Sequence, residues 1–579
     1  MLLQGIAAAP GVAMGLALVI QEGPQVVIRY EISGEQVQAE VERLESHIQL
    51  AILQLKALIE RTSATVGSEQ AKIFESQIWL LQDEEFSGAA KDTIIAQRIN
   101  AEAALDGASD AIIGIFESME DERLGERAAD IRDITNRVMR LLEGKKEDMQ
   151  QESEDPVILF AHDLTPSDTA QLDRNKTAGF VTDIGGRTSH SAIMARSMDV
   201  PAVVGLRVGT KQVKTGDYVI IDGSQGAVYI NPEQAVIEEF KDKQIRFRAR
   251  LAELKKYDGQ PSITADGQQV ELVANIGNAQ DAWTAKNSGA EGIGLYRTEF
   301  LYMGRNQFPT EEEQFQAYKV VAEMFGKDQP VVIRTLDIGG DKELSYLDLP
   351  KEANPFLGHR AIRLCLEETE LFKTQLRAIV KASAYGNVKL MFPMIATLQE
   401  LRKAKELLAE VQNELEQENI AFNRDMEVGL MIEVPGAALI ADQLAKEADF
   451  FSIGTNDLVQ YVMAADRMNE RLSYLTEPFQ PAVLRIIDQV IKAAHREGKW
   501  VGMCGEMAGN LTALPILLGM GLDEFSMSGG SVLAARALMH KLDRREMKQL
   551  VEDVLQMTSA EQIKSYVECK VPAIADWRA

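Results

Sequence analysis

The chain has 579 residues, of which 46% are hydrophobic and 26% charged, and its formal net charge is −27. That length exceeds one ordinary core and predicts roughly two to four domains. The acidity argues against nucleic acid as the main partner, because a phosphate backbone repels such a field, and leaves room for a basic protein partner.

Three cysteines, Cys365, Cys504 and Cys569, form no CxxC pair. This argues against a disulfide framework or a zinc site and for a reducing compartment. The run from Val12 to Ile20 is too short to span a bilayer, and no basic stretch followed by an apolar core opens the sequence. Neither a membrane helix nor a signal peptide is expected, and the expected location is cytoplasmic.

Residues 1 to about 20 read as short strands around the Pro10-Gly11 turn. Over 33–58 the apolar residues Val37, Val41, Leu44, Ile48, Ile52 and Leu55 recur at threes and fours, which predicts a long helix. Further helices are predicted over 70–81, 92–117 and 126–142, making a bundle of antiparallel pairs, and 145–155 reads as a charged loop. The pattern then becomes α/β, with strands predicted at 156–160, 179–182, 202–205 and 218–221. The helical bundle therefore looks inserted into an α/β unit, and 232–258 reads as a charged connecting helix.

Within that α/β unit, the stretch Gly185-Gly186-Arg187-Thr188-Ser189-His190 follows an apolar strand and precedes helical composition. Thr188 or Ser189 is a natural N-cap, which puts His190 in a first helical turn whose free N–H groups favour an anion. Spacing leaves two readings open, a histidine capping a surface helix and an imidazole that carries an anion.

From Val270 onward a unit of short apolar strand, loop and amphipathic helix repeats. Eight strands beginning near Leu272, Gly292, Val331, Lys389, Val428, Phe450, Trp500 and Glu524 predict a (β/α)8 barrel, whose chemistry lies at the C-terminal strand ends. Those ends and the loops beside them carry Arg297, Arg334, Arg360, Glu433, Asn456, Asp457, Arg467 and Cys504. Arginines in number imply a substrate with phosphate and carboxylate groups. Glu433 and Asp457 suit a hard ion such as Mg2+ that also holds substrate phosphate. Cys504, between glycines and opposite the arginines, is a candidate for proton transfer, although a lone strand cysteine is commonly a small buried hydrophobe.

These residues, together with the motifs Gly5-Ile6-Ala7-Ala8-Ala9-Pro10-Gly11, Glu126 to Ile134, Thr335 to Leu344, Asn354 to Gly358 and Asp449 to Leu458, resemble the Enzyme I family of bacterial phosphoenolpyruvate-protein phosphotransferases. The resemblance runs from Gly5 to at least Ser528. It implies a swivelling phosphohistidine α/β domain (1–20 and 146–231) with an inserted helical carrier-binding bundle (21–145), a linker helix (232–261) and a phosphoenolpyruvate-binding (β/α)8 barrel (262–579). It further implies transfer of the phosphoryl group of phosphoenolpyruvate to His190 and on to the histidine phosphocarrier protein HPr, with release of pyruvate. By position, Thr169 orients His190. Arg297, Arg334, Asn456, Asp457 and Arg467 bind substrate, with Lys342 and Arg360 as additional contacts. Glu433 and Asp457 hold Mg2+, and Cys504 protonates the enolate. A homodimer through the barrel is also implied.

Two positions depart from the family's commonest pattern. Ser191-Ala192 follows His190 where Thr-Ser is usual, and Val434-Pro435-Gly436 follows Glu433 where Thr-Pro-Ala is frequent. Pyruvate phosphate dikinase and phosphoenolpyruvate synthase share the histidine domain and the barrel. They also need a nucleotide-binding domain, for which the helical insertion, lacking a glycine-rich phosphate loop, leaves no place. A non-enzymatic scaffold predicts loss of His190, Cys504 or the barrel arginines, and all are present.

Overall fold

The structure is a computed structural model. It describes all residues except 21–26, 66–67, 118–121, 145–155, 165–175, 187–190, 193–194, 196–199, 304, 341, 343, 345, 348–351 and 578–579. It divides into two compact units, residues 1–249 and 250–578. No helix among the described residues is long and apolar enough to cross a membrane.

The first unit contains one eight-stranded sheet and a helical bundle. Strands β1 (Leu2–Gln4), β2 (Ile6–Ala9) and β3 (Val12–Val19) precede the bundle. Strands β4 (Val157–Ala161), β5 (Thr177–Thr182), β6 (Ala202–Val204), β7 (Tyr218–Asp222) and β8 (Ala227–Ile230) follow it. Their order in the sheet is β1-β8-β7-β3-β4-β5-β6-β2. The parallel pair β3 and β4, with Val19 opposite Phe160, therefore joins segments on either side of the bundle. A parallel pair needs a crossover connection, and here the whole helical segment is that crossover.

The bundle consists of α1 (Val37–Thr65), α2 (Ser68–Gln82), α3 (Ala89–Gln97), α4 (Ala101–Glu117) and α5 (Glu122–Leu142). The apolar stripe read from the sequence is its core, with Leu44, Ile48, Ile52 and Leu55 buried against Ile94, Leu105 and Ile134. The helix expected over 92–117 is divided in two. Arg98 adopts a left-handed conformation at φ 51° and ends α3, and Ile99 bridges to Glu31. Asn100 then accepts from the Tyr30 backbone N–H and donates to the Ile28 carbonyl, so the chain turns at a polar contact with no Gly or Pro to announce it. The loop expected over 145–155 lies outside the described residues.

Helix α6 (Gln234–Leu254) runs from one unit into the other. Its start packs on the sheet through Phe240 against Tyr229, ring centroids 4.9 Å apart, and Leu254 joins the core of the second unit.

The second unit is the expected barrel. Strands β9 (Glu271–Ile276), β10 (Ile293–Arg297), β11 (Pro330–Arg334), β12 (Asn387–Phe392), β13 (Val428–Ile432), β14 (Phe450–Ile453), β15 (Trp500–Met503) and β16 (Glu524–Met527) pair in parallel, in chain order, and close on β9. Alternation sorts their side chains. Leu272, Ile333, Leu390, Val501, Met503 and Phe525 point outward into the main core beneath the helices. Leu295, Val332, Met391, Met431, Phe450 and Cys504 form a separate cluster inside the barrel.

Three strand glycines make room in that interior. A Cβ on Gly429 would lie 2.6 Å from the Phe450 ring, one on Gly294 2.5 Å from Ser526 Oγ, and one on Gly502 2.7 Å from Glu524 Oε1. Large and small residues thus alternate across facing strands, which lets a narrow barrel fill itself without voids.

Candidate functional site

The C-terminal ends of the barrel strands enclose a cleft of about 880 Å3 lined by Arg297, Glu299, Arg334, Asp337, Lys342, Glu433, Asn456, Asp457, Arg467 and Cys504, among others. All the barrel residues singled out from the sequence line it except Arg360, which stands behind it. A second cavity of about 600 Å3 lies nearby, walled by Phe356, Leu357, Val434, Pro435 and Tyr461.

The cations of the cleft are held by two carboxylates that pattern reading did not place among the site residues. Arg334 Nη2 donates to Glu299 Oε1 at 2.8 Å and lies 3.0 Å from Asp337 Oδ2. Lys342 Nζ reaches the same two groups at 2.7 and 3.3 Å. Arg360 Nη2 donates to Asp337 Oδ1 at 2.8 Å. Burial opposes the charge on Arg334 and Arg360, but the facing carboxylates outweigh it and hold both guanidinium pKa values above their usual range. In the same way burial works against ionised Glu299 and Asp337, and Arg334 and Lys342 pull both below the ordinary carboxylate range. Both residues stood in the strand-end motifs, but an acid beside an anion-binding arginine reads as repulsive until its place behind the cation is known.

Arg467 and Arg360 flank Asp457, their Nη1 atoms 3.7 and 3.6 Å from its Oδ1. Both guanidinium groups also lie over the Phe356 ring, 5.5 and 5.8 Å from its centroid. Asn456 Oδ1 accepts from the Glu506 backbone N–H at 3.2 Å, so its amide is fixed from below. Arg297 lies 5.3 Å from the Phe300 ring centroid. A ring face beneath a guanidinium attracts its charge without using its donors.

Glu433 Oε1 accepts from the Met394 backbone N–H at 2.7 Å, and a Cβ on Gly454 would stand 2.8 Å from its Oε2. Burial first, then the nearby Asp457 and Asp337, pushes the Glu433 carboxyl up to about 8. The Asp457 Oδ1 atom is buried without a hydrogen bond. Two crowded carboxylates, one with an oxygen lacking a donor, fit a hard divalent cation. Among the described residues no group of three His, Cys, Asp or Glu side chains forms a complete metal cage. This donor set therefore suits an ion that shares its shell with substrate oxygens and water, as Mg2+ commonly does.

Cys504 lies at the end of β15 on the inner face of the barrel. Its N–H donates to the Ile453 carbonyl at 3.1 Å, and its own carbonyl accepts from Asn275 Nδ2 at 2.9 Å. Burial pushes the thiol up to about 12, with the Ser452 side chain and Arg334 pulling the other way. A thiol of that kind is protonated at neutral pH, which suits a proton donor and not a thiolate nucleophile.

In the first unit, Gly185 at φ 108° turns the chain after β5, and Ser191, Ala192 and Ala195 are helical and buried. Asp183 anchors that turn by accepting from the backbone N–H groups of Gly209 and Thr210. His190 and Thr169 themselves lie outside the described residues.

The chain matches the models of three consecutive parts of the PEP-utilising enzymes: the N-terminal part over residues 4–127, the mobile domain over 153–226 and the PEP-binding domain over 251–544. It is 53% identical over 567 residues to a protein of Geobacillus stearothermophilus named phosphoenolpyruvate-protein phosphotransferase, covering 98% of this chain and 97% of that one. It is 52% identical to the protein of the same name from Bacillus subtilis (strain 168), covering 98% and 99%. A Staphylococcus aureus protein, also so named, is 48% identical over 562 residues.

Proposed function

The chain belongs to the phosphoenolpyruvate-protein phosphotransferase family, and from that premise we propose that it moves the phosphoryl group of phosphoenolpyruvate to His190 and then to the carrier protein HPr, releasing pyruvate. This is the first step of sugar uptake by the phosphotransferase system. The matched relatives are phosphotransferases along nearly their whole length, which favours this reading over the dikinase and synthase alternatives.

The observation that carries the reading is the barrel-mouth cleft, where Arg297, Arg334, Lys342 and Arg467 and the carboxylates of Glu299, Asp337, Glu433 and Asp457 share one lining with a protonated thiol. Arg297, Arg334 and Arg467 grip the phosphate and carboxylate of the substrate, with Lys342 completing the positive wall, Arg360 adding its charge from behind through Asp337, and Asn456 donating from the side. Glu433 and Asp457 would hold Mg2+, which when bound neutralises phosphate charge. Neutral imidazole is nucleophilic near its ordinary pKa of about 6.5, so His190 needs orientation, supplied by Thr169, more than activation. Transfer then rests on positioning and on neutralising charge. As the enolate forms, Cys504 gives its proton to the methylene carbon and pyruvate leaves.

In this reading residues 1–20 and 146–231 carry the histidine, 21–145 receive HPr, 232–261 link the parts, and 262–579 bind phosphoenolpyruvate. The protein is cytoplasmic and acts as a homodimer through the barrel.

Incubation with Mg2+ and phosphate-labelled phosphoenolpyruvate tests the proposal. Acid-labile, base-stable label should appear on the protein, and His190→Ala should abolish it. Label retained by that variant would sink the assignment.

A further inference from the structure

Asp457 presents an oxygen that two arginines approach and do not reach. Arg360 Nη1 and Arg467 Nη1 stop 3.6 and 3.7 Å from Asp457 Oδ1, and that oxygen is buried without a hydrogen bond. A charge-assisted N–H···O bond closes to about 2.7–2.9 Å and is among the stronger polar contacts a protein makes. Two guanidinium groups that forgo it at the same oxygen are therefore being held elsewhere.

What the two share is the ring of Phe356. Arg467 lies 5.5 Å and Arg360 5.8 Å from its centroid, within the roughly 6 Å over which a ring face attracts a guanidinium. The ring's own segment is pinned. Tyr461 lies on the helix Thr455–Met463, which also carries Asn456 and Asp457. Its hydroxyl donates to the Phe356 carbonyl at 2.5 Å and accepts from Arg360 Nη1 at 3.3 Å. One hydroxyl thus ties the turn that bears Phe356 both to the Asp457 helix and to an arginine. Arg360 is held a second way, by Asp337 Oδ1 at 2.8 Å. The Arg467 backbone N–H donates to Gln460 Oε1 at 3.0 Å, so that side chain starts from a set point on its way to the ring.

We propose that Phe356 and Tyr461 are positioning residues that hold Arg360 and Arg467 off Asp457 Oδ1 and so keep that oxygen available to a divalent cation. The proposal rests on the reading of Glu433 and Asp457 as the cation's ligands. The ring competes with Asp457 for the guanidinium groups, and because it occupies none of their donors it leaves their N–H groups to a substrate anion. Without the ring, Arg467 closes on Asp457, forms the charge-assisted bond and takes the lone pair that the cation needs. Arg360 follows less readily, since Asp337 still holds it. An internal ion pair is thereby forgone in favour of an open metal ligand.

Titration of the full-length protein with Mn2+, followed by loss of the free ion's electron paramagnetic resonance signal, reads the site without turnover. Phe356→Leu removes the ring face and should weaken Mn2+ binding about tenfold, the lower end for a group that supports a metal ligand from behind. Phe356 is only half-buried and walls the smaller cavity, so Phe356→Tyr keeps the face and should bind Mn2+ as the wild type does. Tyr461→Phe loses the pin and should weaken binding about fivefold, the worth of one hydrogen bond. Arg467→Met added to Phe356→Leu should restore binding, because the group that closes on Asp457 is then gone, a recovery that damaged packing would not give. Asp457→Asn is the control. If it binds Mn2+ no differently from the wild type, the metal reading fails and the proposal with it. If it loses Mn2+ while Phe356→Leu and Tyr461→Phe keep wild-type affinity, the positioning role is overturned. A loss in Phe356→Leu that Phe356→Tyr shares, or that Arg467→Met leaves unrelieved, would overturn it too, and Tyr461→Phe alone decides should Phe356→Leu fail to fold.

Discussion

Arg334 is gripped by Glu299 and Asp337 before any substrate arrives. A cation so held loses little freedom on binding an anion, and it cannot be removed cheaply. Arg334→Met should leave both acids with fewer partners and lower the unfolding free energy by about 3 kcal/mol, the lower end for breaking a buried pair, because Lys342 and Arg360 remain. Denaturant titration measures this, and substrate binding should fall with it. Glu524 gives a different residue-scale expectation. Its carboxyl is raised from an ordinary 4.5 to about 8 by burial. Below the ordinary value both folded and unfolded chains are protonated, and its contribution is fully present. As pH rises further the unfolded chain sheds its proton while the fold retains it, so stability is lost progressively until the folded group ionises near 8. Glu524→Gln should flatten that decline by on the order of 3 kcal/mol between pH 5 and 8, read from melts across the range. At this scale the sequence yielded the arginines, Glu433, Asp457 and Cys504 because strand ends in a barrel point at its mouth. It did not yield Glu524, whose inward place over Gly502 depends on strand register and on that glycine's lack of a side chain.

The eight barrel strands were legible because short apolar runs recur between turn residues, and the structure begins each within a few residues of the expected point. Strand β8 escaped notice because Ala227–Ile230 follows a tight turn from β7 and is only four residues long. The division between α3 and α4 was hidden for a related reason, since Arg98 ends a helix in a left-handed conformation that its side chain does not advertise. Neither the helical period nor the strand period reports which inward positions must be empty. Gly502 shows the consequence within β15. Gly502→Ala would place a methyl group 2.7 Å from Glu524 Oε1, so the buried Glu524 carboxyl must swing away, with its Cβ and Cδ already 3.3 and 3.4 Å from the new methyl. The expected cost is about 1 kcal/mol, the low end for overpacking because a side-chain end gives way, measured by chemical denaturation.

Each of the two units holds its own cores, the barrel's being built from residues 254–577 alone. Calorimetry should therefore resolve two unfolding transitions. Mg2+ with phosphoenolpyruvate should raise the one belonging to the barrel, by about 2.7 kcal/mol at a ligand concentration a hundred times Kd. A single transition shifted as a whole would contradict that independence. The first unit's sheet has a consequence for synthesis. β3 pairs with β4 and β7, β2 with β6, and Leu2 of β1 with Tyr229, so the strands made first find their neighbours in stages, and β1 only when residue 230 has emerged. At roughly 5–20 residues per second that is an interval of about ten to fifty seconds. During it the bundle, whose contacts are local, can close on itself, while β3 gains β4 after residue 161, β2 gains β6 after 204, and β1 stays unpaired to the end. The unpaired edges are short, which limits what they can recruit, and the slow step in making this protein is the return of its own chain to where it began.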